Sequence, residues 1–269
     1  MDNASVKKFI SDMIVLSESL SGHLRRRETA FLATLPLLSS KGEILEIGSF
    51  KGKSTIILAK AAQTFCRQKI HACDPLSLQC STDPDDAKAD ELPEIFYSNI
   101  KKHHVYEWIE FFQMKSDELA STWTKPLKIL WIDGDHTYNG AVSDIMLFER
   151  HLSPGAIVCL HDVLHGFEGP VRAFSERILL SPYYGDCGIC GSIGWGQFTP
   201  DRSVTENQWK TKFSLNKKLS RLMLMVIKKD NGFKINEHVR KLYKSLVPHG
   251  PINPVKWIEA RNTRARQMK

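Results

Sequence analysis

The chain has 269 residues, of which 42% are hydrophobic and 25% charged, and its formal net charge is +7. These are ordinary globular proportions, and they exclude a disordered, collagen-like or low-complexity chain. No apolar run approaches the roughly 20 residues that span a bilayer, and six cysteines are too few for a disulfide scaffold of this length. The first 20 residues interrupt their apolar positions with Ser11, Asp12 and Glu18, so we expect neither a signal peptide nor a transmembrane segment, and a cytoplasmic protein.

Helices are predicted before the first strand, in an amino-terminal segment of residues 1–40. In the stretch Val6–Leu20 the apolar residues recur at helical spacing, which is typical of an amphipathic helix.

Five short runs follow that are largely apolar rather than alternating: Ile44–Ile47, Ile70–Cys73, Ile109–Phe112, Ile129–Ile132 and Ala156–Leu160. Continuous apolar residues indicate strands covered on both faces, as in a parallel sheet. Helical patterns lie between them: Thr55–Phe65, Leu92–His103 and Ala141–Leu152, the last closed by Ser153-Pro154-Gly155. This alternation predicts an α/β fold with a doubly wound, mostly parallel, Rossmann-like sheet and helices on both faces.

The remaining elements complete this sheet and extend beyond it. Gly166–Leu180 is predicted to be helical, and Tyr183–Phe198 to form a closing hairpin that turns near Cys190-Gly191. Helices are then expected over about 206–228 and 234–247, followed by an exposed, Arg-rich end. We therefore divide the chain into a helical segment 1–40, a ligand-binding domain 41–200 and a helical extension 201–269.

The extension is strongly basic. Residues 206–269 hold 16 Lys and Arg against 4 Asp and Glu, whereas the rest of the chain has a net charge of −5. Such a block is either a solvated helix face or a surface that attracts nucleic acid or another anionic partner.

A glycine loop follows the first predicted strand. Gly48-Ser49-Phe50-Lys51-Gly52-Lys53-Ser54 leads from the strand into a helix, which places the loop at the carboxyl edge of the sheet. A phosphate-binding P-loop needs four residues between its glycines, and Gly48 and Gly52 enclose three. A dinucleotide-binding loop needs glycine where Phe50 stands. A P-loop-like nucleotide hydrolase therefore remains only an alternative.

Two acidic residues at strand ends indicate a different ligand. Glu46 would repel a pyrophosphate, whereas it suits a ligand that carries an ammonium and a sulfonium. Asp74 ends the second strand, where a carboxylate can accept hydrogen bonds from both hydroxyls of a ribose. The alternative for Asp74 is a turn residue before Pro75.

Together with Ile132-Asp133-Gly134-Asp135-His136 and the later Pro154-Gly155 and His161-Asp162, this arrangement resembles the class I S-adenosylmethionine-dependent methyltransferases. Within them it is similar to the small-molecule O-methyltransferase branch with the D-G-D-H motif and, more distantly, to the catechol and caffeoyl-CoA type enzymes. The resemblance covers about residues 41–200.

The resemblance implies S-adenosylmethionine as cofactor, bound by Glu46, Gly48, Ser49, Phe50, Gly52, Ser54, Asp74, Ser116 and Asp133. It also implies a site for Mg²⁺ or another divalent cation made by Asp133, His161 and Asp162, although related enzymes usually carry Asp-Asn where His161 and Asp162 stand. The alternative is that Asp133 and Asp162 cap loops and orient the cofactor.

His136 and Asp133 are the expected catalytic residues. His136 aligns with a basic lysine of the catechol-type enzymes, and a neutral imidazole is a competent proton acceptor near pH 7. We therefore expect metal-assisted O-methylation of a hydroxylated small molecule of the sugar or natural-product type. The alternatives are methylation of an anionic or nucleic-acid acceptor, and the nucleotide hydrolase. A homo-oligomer is compatible with the sequence, and the acidic stretch Asp83–Asp90 is either a lid or a solvated loop.

Overall fold

The computed structural model describes residues 3–77, 88–230, 236–250 and 253–267. The predicted lid or solvated loop falls largely outside the described residues. The strands are β1 Glu43–Ile47, β2 Ile70–Cys73, β3 Ile109–Phe112, β4 Leu127–Ile132, β5 Leu152–Leu160, β6 Tyr184–Cys190 and β7 Ile193–Phe198. The helices are α1 Asn3–Ser19, α2 Arg26–Leu32, α3 Lys53–Phe65, α4 Leu92–Lys102, α5 Ser116–Thr122, α6 Tyr138–Glu149, α7 Glu168–Ala173, α8 Glu206–Asp230, α9 Glu237–Ser245 and α10 Pro254–Gln267.

The seven strands form one sheet in the order β3-β2-β1-β4-β5-β7-β6. The first five strands of the chain are parallel, and β7 runs antiparallel to both β5 and β6. The predicted mostly parallel, Rossmann-like sheet is therefore confirmed. The strand order reverses between β1 and β4, and ligands of such sheets bind at this point, beyond the carboxyl ends of the strands.

Two apolar layers cover the two faces of the sheet. Because successive side chains of a strand point to opposite faces, Ile44 packs with α2, α3, α4 and α10, whereas Leu45 and Ile47 pack on the other side with α5, α6 and α8. The largely apolar runs of the inner strands follow from this double coverage, whereas the edge strand β3 exposes Glu110.

The loop after β1 depends on glycine. Gly48 has φ of +86°, and a Cβ atom there would lie 2.2 Å from the backbone oxygen of Asp133. The close approach brings the end of β1 against the end of β4. Since β2 and β5 flank these strands, the residues that follow all four strands meet at one edge.

Two local predictions are wrong. The predicted helix Ala141–Leu152 ends at Glu149, and Leu152 begins β5. Ser153-Pro154-Gly155 was expected to stop the helix but lies within β5, where the pairing with β4 shifts register between Leu127 and Ile129. A register shift tolerates a proline that has no N–H to donate.

The carboxy-terminal end is not an exposed Arg-rich tail. It forms α10, in which Trp257 and Ile258 are buried in the same apolar layer as α3. Helix α8 likewise buries Leu219 and Leu222 against the other face. The basic extension thus packs on the sheet, while the boundaries proposed at 40 and 200 stay predictions. No helix among the described residues has the length and apolar character needed to cross a membrane.

Candidate active site

A cavity of about 470 Å³ opens at the carboxyl edge of the sheet, beside the ends of β1, β2, β4 and β5. Seven of the nine predicted cofactor residues line it: Gly48, Ser49, Phe50, Ser54, Asp74, Ser116 and Asp133. The three other predicted catalytic or metal residues, His136, His161 and Asp162, also line it. Glu46 and Gly52 are not among the lining residues, so their predicted contact with a cofactor stays a prediction.

Asp74 holds the glycine loop in place. Its Oδ2 accepts hydrogen bonds from the backbone N–H groups of Ser49 at 2.7 Å and Phe50 at 2.8 Å, and its Oδ1 accepts one from Leu76 at 2.7 Å. A carboxylate has about four acceptor positions. Asp74 can therefore shape the loop and still accept from a ligand, but the loop already uses most of its capacity.

Glu46 lies behind the loop rather than in the cavity wall. It is fully buried, and its Oε2 accepts hydrogen bonds from Thr55 Oγ1 at 2.6 Å and Ser49 Oγ at 3.2 Å. Among the described residues its Oε1 has no hydrogen-bond partner. Burial raises the pKa of Glu46 to about 7, although the hydroxyls of Ser54, Thr55 and Ser49 lower it in part. Its role in the structure is to join β1, the loop and α3.

The raised pKa of Glu46 predicts a pH dependence of stability. The folded protein holds this proton up to about pH 7, whereas the unfolded chain releases it near pH 4.5. The free energy of unfolding contributed by Glu46 should therefore fall as the pH rises from 4.5 to 7, by on the order of 3 kcal/mol, and stay constant above. Urea unfolding measures the free energy of unfolding of the wild type and of Glu46→Gln across this range. The excess stability of the wild type over the variant should shrink as the pH rises, and the variant should become the more stable protein. A difference that does not change with pH would contradict the assignment.

A cluster of three side chains lies beside the cavity. Asp133 follows β4, His136 comes three residues later in the turn before α6, and Asp162 follows β5. One potential ligand atom from each of the three lies within 4.8 Å of the others. His136 Nε2 faces Asp133 Oδ1 at 3.5 Å and Asp162 Oδ2 at 3.4 Å. The imidazole therefore points to the place where the two carboxylates converge.

These carboxylates change the protonation of His136. Burial lowers its pKa, but the hydrogen bonds and charges of Asp133 and Asp162 outweigh burial and raise the pKa to about 9. The sequence predicted a neutral imidazole near pH 7, whereas the structure favours a protonated one. Asp135 fixes the start of α6, because its two oxygens accept from the backbone N–H and the hydroxyl of Thr137.

The predicted role of His161 as a metal ligand stays a prediction, and its Nδ1 faces both Asp133 Oδ1 at 3.1 Å and Asp162 Oδ1 at 3.5 Å. Its Nε2 lies 3.5 Å from Ser192 Oγ and 3.6 Å from Glu28 Oε2. Burial lowers the pKa of His161, but Asp133, Glu28 and Asp162 together raise it well above its usual value. Both ring nitrogens therefore face acceptors of the protein. His136, which the sequence did not predict as a ligand, groups with the same two aspartates, whereas the Nε2 of His161 faces Ser192 and Glu28 on the other side of the ring.

Several cavity residues were not predicted from the sequence. Lys53 Nζ donates to the carbonyls of Leu20 and Gly22 at 3.1 Å each, which ties the loop between α1 and α2 to the cavity wall. Asp144 of α6 is 4% exposed and accepts a 2.6 Å hydrogen bond from Ser116 Oγ. Burial and neighbouring charges raise its pKa to about 6, although Ser116 lowers it in part. An aspartate on the apolar face of a predicted helix was the only signal for it.

Carboxylates outnumber lysines in the cavity wall. Six aspartates line it, against two lysines: Asp74, Asp117, Asp133, Asp135, Asp144 and Asp162, and Lys53 and Lys115. Such a wall favours a cationic ligand over a phosphate.

Known proteins resemble the chain in two ways. Residues 45–163 match a family model described as a methyltransferase domain. The solved structure of the O-methyltransferase NovP is 12% identical, with a TM-score of 0.56 over 72% of this chain and 98% of that one. An O-methyltransferase from Bacillus cereus, solved in complex with SAH, is 16% identical, with a TM-score of 0.48 over 73% of this chain and 92% of that one. At 12% identity the likeness to NovP shows the fold, and the matched stretch 45–163 contains Asp74, Asp133, His161 and Asp162.

Proposed function

We infer that this S-adenosylmethionine-dependent methyltransferase transfers its methyl group to a hydroxyl oxygen of a small molecule. The enzyme class is confirmed by the methyltransferase-domain match over residues 45–163 and by the Rossmann-like sheet. The observation that carries the choice of a hydroxyl acceptor is the cluster of Asp133, His136 and Asp162 at the cavity wall, because such a cluster can activate an oxygen nucleophile.

The cavity suits the methyl donor. S-adenosylmethionine carries a sulfonium and an ammonium, and the excess of aspartates in the wall attracts such a ligand. The backbone of the glycine loop is fixed by Asp74, so it is organised before a ligand arrives. Holding the sulfonium carbon in line with the acceptor oxygen would supply a large part of the rate acceleration.

The donor set of the cluster fits a divalent cation. Two carboxylates and one imidazole suit Mg²⁺ or a somewhat softer ion such as Mn²⁺, and the three groups are already close. We therefore propose Asp133, His136 and Asp162 as the ligands. A bound cation would orient the acceptor hydroxyl and lower its pKa.

His136 can serve in only one of two ways at a time. In the protein without a cation, the raised pKa of His136 favours a proton on the ring, whose Nε2 faces Asp133 and Asp162. The same nitrogen cannot accept a proton from a substrate while it is bound to a cation. We assign it to the cation site, and its role as the proton acceptor is the alternative. The D-G-D-H motif thus supplies two of the three proposed ligands.

The other predicted functions have less support. In a P-loop the lysine after the second glycine reaches phosphates, whereas Lys53 Nζ is bound to two backbone carbonyls. The nucleic-acid or anionic partner of residues 206–269, a homo-oligomer and the cytoplasmic location stay predictions.

Ligand-dependent melting tests the donor assignment. S-adenosylmethionine or its demethylated product at about 100 times its Kd should add roughly 2.7 kcal/mol to the free energy of unfolding. ATP with magnesium should add nothing measurable, because the cavity wall is acidic. Stabilisation by ATP alone would overturn the proposal in favour of the nucleotide hydrolase.

A further inference from the structure

Glu28 is a buried carboxylate that connects helix α2 to the active site. It is 1% exposed. Its Oε2 accepts a 2.8 Å hydrogen bond from the backbone N–H of Arg25, and its Oε1 accepts from the backbone N–H and the hydroxyl of Ser192 at 2.7 and 2.8 Å. Its Oε2 also lies 3.6 Å from Nε2 of His161. A buried charge with this many partners is held in one position.

The hairpin turn between β6 and β7 is built around this carboxylate. Gly191 has φ of +66°, and a Cβ atom there would lie 2.5 Å from Glu28 Cγ and Oε1. Only glycine lets the turn approach so closely, and the approach brings both donors of Ser192 onto Glu28. Three separate segments therefore converge on Glu28: α2, the hairpin turn and the end of β5.

His161 transmits this position to Asp133. The ring is 3% exposed and packs at 5.5 Å from the indole of Trp131. Its Nε2 side faces Glu28 and Ser192, and its Nδ1 is 3.1 Å from Asp133 Oδ1. The carboxylate of Asp133 therefore contacts an imidazole whose orientation is fixed by Glu28 and Ser192 at its other nitrogen. The outer hydrogen-bond partner of a metal ligand fixes that ligand in the same way.

We propose that Glu28 is a positioning residue that, through His161, fixes the carboxylate of Asp133 in its reactive orientation. This rests on the proposed function of Asp133. It means that the active site extends beyond residues 45–163, because a side chain of the amino-terminal helical segment and a hydroxyl of the hairpin complete it.

The test measures binding of Mn²⁺ to the full-length protein by titration calorimetry. Glu28→Ala is expected to weaken Mn²⁺ binding by about 10–100-fold, the usual effect of losing an outer partner of a ligand. In the background of His161→Ala the same change should have little further effect, because Glu28 acts through His161. Glu28→Gln keeps an acceptor for Ser192 but turns an amide donor towards the backbone N–H of Arg25 and towards His161, so it should restore only part of the affinity.

Glu43→Ala is the matched control. Glu43 lies 3.2 Å from the buried imidazole of His71, so it is also half of a carboxylate–imidazole pair, but it begins β1 at the opposite edge of the sheet. Its removal should leave Mn²⁺ affinity unchanged. Unchanged Mn²⁺ affinity in folded Glu28→Ala, or effects of the Glu28 and His161 changes that simply add, would overturn the proposal.

Two further measurements cover other outcomes. If Glu28→Ala does not fold, Ser192→Ala is measured instead. This variant removes the hydroxyl between Glu28 and His161 and keeps the backbone donor, so it should weaken Mn²⁺ binding by about 3–10-fold.

If the wild type binds no Mn²⁺, the cation part of the proposed function fails. Crystal structures of the wild type and Glu28→Ala then decide the role of Glu28: loss of the contact between His161 Nδ1 and Asp133 Oδ1 in the variant supports it, and an unchanged Asp133 rotamer overturns it.

Discussion

Replacing Asp133 by Asn is expected to lower methyl transfer by about 10³-fold and to abolish measurable Mn²⁺ binding. Asp133 connects the cavity to two imidazoles. Its carboxylate faces His136 and His161, and the residue lines the cavity. Loss of its charge removes one of two carboxylates from the proposed cation site. A bound cation contributes several kcal/mol of transition-state stabilisation, which corresponds to this loss of rate.

The rate is measured with a labelled methyl donor and the best acceptor from a panel of hydroxylated compounds. A chelator should lower the rate of the wild type, and added Mg²⁺ should restore it, whereas Asp133→Asn should not recover. Asp117→Asn is the matched control, since Asp117 also lines the cavity but is exposed and lies outside the cluster; at a saturating concentration of the donor it should change neither the rate nor Mn²⁺ binding. Wild-type rates in chelator would eliminate the cation, and a wild-type rate of Asp133→Asn would eliminate the residue.

Replacing His136 by Ala is expected to lower the rate of methyl transfer by about 10²–10⁴-fold and to weaken Mn²⁺ binding by at least about 10-fold. The imidazole is one of three proposed ligands, and both carboxylates face it. Affinity for the demethylated donor should stay within about threefold of the wild type, because we propose that the glycine loop, rather than His136, holds the donor.

The two measurements separate the two roles of His136. The same loss of rate with unchanged Mn²⁺ affinity would make His136 the proton acceptor, as the sequence predicted. A wild-type rate would remove it from the mechanism. His165→Ala is the matched control, because both imidazoles stack on Phe167, at ring distances of 4.5 Å for His136 and 5.4 Å for His165. It should change neither quantity by more than about threefold.

Much of the fold could be predicted from the sequence because its strands have a simple pattern. The largely apolar runs at Ile70–Cys73 and Ile109–Phe112 coincide with β2 and β3. All four residues of β2 are buried, as in a strand covered on both faces, whereas β3 is an edge strand that exposes Glu110. The predictions were wrong where tertiary packing outweighed a local sequence signal. Pro154 and Gly155 are usually helix stops, but here they lie in β5 at a shift of register. The Arg-rich end was predicted to be exposed, yet Trp257 and Ile258 provide α10 with an apolar face that the sheet covers.

The sequence by itself determined the parallel sheet, the glycine loop and the residues that follow its strands, because these depend on local spacing and on the rule that parallel strands end at one edge. Only the tertiary structure decided what each polar side chain faces. It turned Glu46 into the interior behind the loop, directed both nitrogens of His161 to protein acceptors, and placed His136 between two aspartates. It also brought Glu28 to the site from 133 residues away along the chain. Such pairings depend on rotamers and on the packing of distant segments, about which spacing along the chain carries no information.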